Sequence, residues 1–182
     1  MSPLFSNPSE MPCGAILLRP AASGIAPVRL VAMTPEIAAQ LAPGFAEMDP
    51  WARLGITAAA LSHDFANPEP GAARYCVQVG ESLAGVAGFR AAWLRGPYLQ
   101  FLGLLRPYQR QSLGPLVLAW FEAQARAGGE RNLWVAASDF NPAAIGFYER
   151  HGFRRAAIFD DLIADGHSEI LLRKRLNPRD VA

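Results

Sequence analysis

Tyr98-Leu99-Gln100-Phe101-Leu102-Gly103-Leu104-Leu105, running on into Arg106-Pro107-Tyr108-Gln109-Arg110-Gln111-Ser112-Leu113-Gly114, is the stretch from which the fold can be read. An apolar run of strand length passes into a polar loop, and a helix is predicted from about Pro115 to Ala127. Asn132-Leu133-Trp134-Val135-Ala136-Ala137 then reads as a second buried strand, and Asn141 to Arg150 as a second helix. Up to Phe153 the pattern is therefore strand, loop, helix, stated twice. A loop that turns from a strand into a helix directs free backbone N–H groups at one spot. The helix dipole makes that spot attractive to a phosphate.

Outward from this stretch, Pro27 to Met33 reads as a first strand. Thr34-Pro35-Glu36 has the signature of a helix start: a capping hydroxyl, a proline for the first turn and an acid for the dipole. Ile37, Leu41 and Phe45 recur at a spacing of four and form its buried face, with Pro43-Gly44 expected to disturb its end. Asp49-Pro50-Trp51 is a turn, and Thr57 can cap a short helix through Phe65. Arg74 to Val79 and Leu83 to Arg90 are β-like runs joined by Gly80-Glu81-Ser82, a hairpin. Arg154 to Phe159 and Glu169 to Lys174 supply two last strands around the Asp165-Gly166 turn. The order β-α-α-β-β-β-α-β-α-β-β gives an α/β fold, a mixed central sheet of six to seven strands flanked by helices. Residues 1–26, rich in Pro, Ser, Gly and Ala, are read as a loosely held extension, 27–176 as the folded domain and 177–182 as a tail.

Composition narrows the function classes. With 182 residues, 51% of them hydrophobic and 18% charged, the chain can bury one core without staples. A formal net charge of +1 gives no global field for nucleic acid or an acidic membrane, and neither is expected as a partner. Cys13 and Cys76 lack CxxC spacing, so a reducing, cytoplasmic compartment is the simplest expectation. His63, His151 and His167 lack metal-ligand spacing, and no metal is expected.

Two stretches carry a family resemblance. Gln109-Arg110-Gln111-Ser112-Leu113-Gly114 lies on a Q/R-x-x-G-x-G/A loop, and Asn141 to Phe153 lies on N-x-x-A-x-x-x-Y-x-x-x-G-F. In this order, with these elements between them, the chain from Pro27 to Leu176 resembles the GNAT superfamily of acyl-CoA N-acyltransferases. The resemblance implies a splayed strand pair, with a pantetheine arm held by the backbone around Gly103, Leu104 and Leu105. It implies a pyrophosphate held by the N–H groups of Gln109, Arg110, Gln111, Ser112, Leu113 and Gly114, with Arg106 and Arg110 adding charge nearby. Asn141 would touch the arm and also cap its helix. Acetyl-CoA is the implied acyl donor, and Tyr148 the implied general acid beside the thioester sulfur. A phenol with a pKa of about 10 is protonated at neutral pH and can give its proton to a departing thiolate.

The chain departs from the pattern at Ser112, where the family has a glycine, and at Pro115, which has no N–H to donate. Where relatives carry a basic glutamate before the loop, this chain has Gln100. Asp139, Glu149, Asp160 and Asp161 are the acids near in sequence. Without a strong base the reading leans towards an amine of low pKa, since about a tenth of an α-amine is neutral at pH 7. Trp51 and Trp93 are candidates for an acceptor groove or for core packing. The expected activity is acetyl transfer to a primary amine, on a small molecule or a protein N-terminus. The alternatives are a silent CoA-binding or interaction domain and a small-molecule or antibiotic acetyltransferase, with the oligomeric state left open.

Overall fold

The computed structural model describes residues 15–176; Cys13, the rest of 1–14 and the tail 177–182 lie outside the described residues. The chain runs through β1 (Ile16–Arg19), β2 (Val28–Ala32), α1 (Pro35–Ala46), α2 (Ala58–Ala66), β3 (Ala72–Val79) and β4 (Ser82–Trp93). It continues through β5 (Gly96–Leu104), α3 (Leu113–Ala127), β6 (Asn132–Ser138), α4 (Pro142–Arg150), β7 (Arg154–Asp160) and β8 (Ser168–Arg175). All eight strands form one mixed sheet in the order β1-β2-β3-β4-β5-β6-β8-β7. The expected count of six to seven falls short because of β1. Ile16–Arg19, read from sequence as part of a loose extension, pairs antiparallel with β2, with Ile16 opposite Leu30.

Each face of the sheet carries its own apolar layer. On one side α3 and α4 bring Val117, Phe121, Ile145 and Tyr148 onto Leu99, Leu133, Val135 and Phe153. On the other, α1 and α2 bring Leu41, Phe45, Leu61 and Phe65 onto Cys76 and Val86. The capping expectations hold: Thr34 Oγ1 accepts from Ile37 N at 3.3 Å, and Thr57 Oγ1 from Ala60 N at 3.2 Å. Helix α1 nevertheless continues past Pro43-Gly44 to Ala46. The buried Phe45 anchors this last turn, and the bare Gly44 lets Leu105 approach so closely that a Cβ would lie 2.7 Å from Leu105 Cδ2. Tertiary packing outweighs the local cost of the proline.

Strand β5 decides where the sheet opens. Phe89 pairs with Leu99 but Gly88 pairs with Phe101, so Gln100 is an extra residue, a β-bulge. The bulge resets the alternation. Leu99, Leu102 and Leu104 pack on the α3/α4 side, whereas Phe101 and Leu105 pack on the α1/α2 side. Against its other neighbour, β5 pairs parallel to β6 only at Tyr98–Trp134 and Leu99–Val135. Beyond these residues the two strands part, and the lower half of β5, still paired with β4, has no strand on its β6 side.

The closed end of the pair is pinned by side chains. The β4–β5 turn places Leu94 and Arg95 at φ 37° and 62°. Trp134 Nε1 donates to Leu94 O at 3.0 Å, and Asn132 Nδ2 to Arg95 O at 2.7 Å. These bonds hold a left-handed turn that non-glycine residues otherwise avoid.

Candidate active site

Two cavities meet where β5 and β6 diverge. The first, of about 400 Å³, is bounded by the Met48–Trp51 turn, Leu54, Ile56, Gln100 to Leu104, Ala136 to Ser138, and the start of α4. The second, of about 630 Å³, runs beside Gln109, Arg110, Ser112 to Pro115, Phe147 and Arg150. Leu102, Leu104, Gln109, Ala143, Ala144 and Tyr148 line both, so the gap between the strands joins them.

The backbone of β5 alternates across this gap. The Gly103 carbonyl faces β4, so near Gly85 that a Cβ there would come within 2.3 Å of it, and Leu105 N donates to Ala84 O at 2.9 Å. Of the three residues expected to hold an extended arm, Gly103 and Leu105 thus already spend backbone groups on β4. Alternation leaves Leu102 and Leu104 facing the gap. The Leu104 carbonyl accepts from Gln109 Nε2 at 3.0 Å, which ties the loop to the strand. The gap-facing groups are what an extended, amide-bearing ligand arm would pair with.

At the second cavity, α3 begins without a side-chain cap: Ser112 is the N-cap residue, and its hydroxyl makes no capping bond. Leu116 N reaches Ser112 O at 3.4 Å and Pro115 has no N–H, which leaves Leu113 and Gly114 as the free donors of the first turn. Arg110 and Ser112 both adopt φ of 60°. The serine thus takes the left-handed conformation that glycine takes without strain. Arg110 and Arg150 line this cavity. Arg106 does not; its guanidinium donates to Glu47 O at 3.2 Å. Gln111 Nε2 is turned back on Pro107 O at 2.7 Å. A helix N-terminus with two open N–H groups and two guanidinium groups beside it fits a pyrophosphate. Ser112→Gly is expected to raise the melting temperature, since a left-handed non-glycine residue costs about 1–2 kcal/mol, and to tighten acetyl-CoA measured by calorimetry. Weaker binding in a stabilised variant would show that the Ser112 hydroxyl itself contacts the phosphate.

Tyr148 stands between the cavities and is 6% exposed. Burial pushes its phenol well above the usual tyrosine range, and the neighbouring Tyr98 adds to the shift. It is therefore a protonated donor at any ordinary pH. Asn141 caps α4 as expected, its Oδ1 accepting from Ala144 N at 3.1 Å, and it lines the first cavity. Trp51 also lines that cavity, stacked on Phe101 at 4.8 Å. Trp93 stacks on Tyr98 at 4.7 Å, towards the closed end of the strand pair. The Gln100 amide oxygen accepts from Arg74 Nη1 at 2.9 Å.

Three of the four acids near in sequence point elsewhere. Glu149 pairs with Arg155 at 3.0 Å, Asp160 accepts from Ser168 Oγ at 2.8 Å, and Asp161 accepts from Gly166 N at 2.6 Å. The carboxylate that sequence reading missed is Glu169, on β8. It is 6% exposed, lies opposite Ser138 of β6 and lines the first cavity. Ser138 Oγ donates to its Oε1 at 2.5 Å. Burial raises the Glu169 carboxyl above its ordinary pKa, the Ser138 bond opposes the shift, and nearby Asp139 adds to it. The available signal was one glutamate heading the otherwise apolar run Ile170-Leu171-Leu172.

Comparison with known proteins agrees with this geometry. Residues 38–153 match the model of the acetyltransferase (GNAT) family, well over half of the chain. No curated protein matches the sequence. Among solved structures, an acetyltransferase from Thermus thermophilus is 22% identical, with a TM-score of 0.66 over 82% of this chain and 97% of that one. AAC(6')-Ib in complex with ribostamycin and coenzyme A is 14% identical, with a TM-score of 0.64 over 85% and 97%. A GNAT family acetyltransferase from Elizabethkingia anophelis with acetyl-CoA bound is 14% identical, with a TM-score of 0.53 over 59% and 78%. Identities this low speak for the fold alone, whereas the family match rests on the sequence itself. The chain belongs to the GNAT family of acetyltransferases.

Proposed function

We propose that the protein transfers an acetyl group from acetyl-CoA to a primary amine by direct attack of the amine on the thioester. The observation that carries this reading is the gap between β5 and β6, with Tyr148 lining the cavities on both sides of it. The second cavity supplies the Leu113 and Gly114 N–H groups, Arg110 and Arg150 for the phosphates. Leu102 and the Leu104 N–H offer backbone groups for the arm. The first cavity then receives the amine from the opposite side of the sheet. Acetyl-CoA is consumed there as a substrate and supplies an activated acyl carbon. Tyr148 holds the proton that the departing sulfur needs, and because burial favours the neutral phenol it is not lost to solvent beforehand. The two cysteines and their spacing support a cytoplasmic setting.

A second reading, a domain that binds CoA without turnover, draws on the left-handed Ser112, on Pro115, and on Gln100 at the place where the resemblance implies a glutamate base. The two readings part in one experiment. Purified protein with acetyl-CoA is assayed for CoA release against peptides, small monoamines and polyamines, with binding followed by calorimetry. Release that depends on an added amine and rises as that amine deprotonates supports transfer. Binding without release across the panel favours the silent domain.

A further inference from the structure

The first cavity has a composition that selects its occupant. Met48, Trp51, Leu54, Ile56, Phe101 and Ile163 give it an apolar wall, beside the polar side chains of Gln100, Gln109, Ser138 and Asn141. Its lining includes two carboxylates, and their settings differ. Asp49 is at the mouth, its side chain 59% exposed and 3.9 Å from Arg53. Glu169 is 6% exposed and is fixed by the 2.5 Å bond from Ser138. The end of β6 is itself held against the start of β8, because Asp139 N donates to Ser168 O at 2.8 Å. The carboxylate is therefore positioned by two strands and held in the buried part of the cavity.

We infer that this cavity takes a primary amine carrying one ammonium group on an apolar or aromatic body, and that Glu169 is the residue that binds the ammonium and takes its proton. The inference rests on the acetyl-transfer reading and names the acceptor class for that same site. One buried carboxylate beside an apolar wall is matched by one cation on an apolar body. A polycation would find beyond Glu169 one further lining carboxylate, Asp49, already beside Arg53, and would place its remaining charges against Trp51, Phe101 and Ile163, where lost hydration is poorly replaced. An apolar body instead gains by leaving water.

The proton inventory closes. The ammonium gives one proton to Glu169 and becomes a nucleophile. Its nitrogen then forms a C–N bond to the acetyl carbon as the C–S bond breaks. The sulfur takes the Tyr148 proton, and the second proton leaving nitrogen restores Tyr148. The proton on Glu169 passes to solvent, so each turnover releases one amide, one CoA thiol and one proton. The groups facing Glu169 favour this role. Ser138 on β6 donates to it, Asp139 at the end of β6 raises its proton affinity, and Tyr98 on β5 and Tyr148 on α4 are neutral phenols. Phe159 of β7 lies opposite it, and Asp49 stands at the mouth. With this carboxylate in place, the lean towards an amine of low pKa no longer applies, and ordinary alkylamines come within reach.

The same chemistry arises from a free small amine or from the first residue of a polypeptide. The test therefore uses 2-phenylethylamine, a short peptide with a free N-terminal methionine, and spermidine, each with acetyl-CoA and the full-length chain. Both apolar monoamines are expected to exceed spermidine in kcat/KM by roughly tenfold or more, and the better of the two identifies the source. A preference for spermidine overturns the acceptor class. Glu169→Gln keeps the side-chain shape and can still accept from Ser138. It is expected to lose about 10²-fold or more in kcat/KM at pH 7, and the loss should shrink towards the pKa of the amine, where no proton acceptor is needed. Glu169→Asp, with its carboxylate one methylene short, should keep the wild-type pH profile at a reduced rate. An unchanged rate in Glu169→Gln, or a loss equal at every pH in a folded variant, overturns the role of Glu169 and leaves acetyl transfer standing. Absence of amine-dependent CoA release by the wild type overturns acetyl transfer, and this inference with it.

Discussion

Tyr148→Phe is expected to lower kcat by about 10²–10⁴, the loss of one general acid, with little change in fold or in acetyl-CoA affinity. The phenyl ring carries the packing, and the hydroxyl the proposed chemistry. The ring lies 5.7 Å from Phe153 and 5.2 Å from Phe147, contacts that phenylalanine retains. The hydroxyl belongs to a residue that lines both cavities, where the proposed reaction would break the bond to sulfur. Because burial raises its pKa, the wild-type rate should show no loss from tyrosine ionisation as pH rises through the ordinary assay range. The measurement is kcat for the variant beside its dissociation constant for acetyl-CoA. A variant with near-normal kcat takes Tyr148 out of the mechanism.

Phe45→Ala is expected to cost about 3–5 kcal/mol, as large-to-small changes at fully buried aromatic sites do. Phe45 is 0% exposed and meets Trp51, Phe65 and Phe101 edge-on at 5.0, 5.7 and 5.7 Å. Its ring also lies under β5: a Cβ added at Gly103 would sit 2.5 Å from Phe45 Cε1. A hole at this place removes support from both the strand and the Trp51 wall of the acceptor cavity. For a chain of this length the loss should lower the melting temperature by roughly 10 °C, and KM for the amine should rise in parallel. A melting temperature within 2 °C or so of the wild type would mean the aromatic cluster collapses into the space, since that interval corresponds to only about 1 kcal/mol here.

Much of this was legible because local signals and the global fold agree. Thr34-Pro35, Thr57 and Asn141-Pro142 each start a helix where their chemistry says one should start. The apolar runs at 98–105 and 132–137 became the two strands that diverge. The features that escaped sequence reading have one cause: they depend on what lies across the sheet. Ile16–Arg19 is a strand only because β2 offers a free edge, and its own composition carries no strong period. The helix passes Pro43 because Phe45 is buried behind it. The bulge at Gln100, which turns Leu102 and Leu104 towards the α3/α4 layer, is a matter of register between β4 and β5. Glu169 stands far from the loop in sequence and reaches the site through its pairing with Ser138. The search for a base among nearby acids could not have reached it.

The central claim is that the unpaired edge of β5 and the open first turn of α3 hold the acyl donor. Hydrogen exchange at single amides, with and without acetyl-CoA, tests it most directly. The amides of Leu102, Leu104, Leu113 and Gly114 should exchange more slowly once acetyl-CoA is added. Gly103 and Leu105, already turned to β4, should change far less. Acetyl-CoA that binds with full occupancy yet leaves Leu104 and Gly114 exchanging at their free rates would contradict the account.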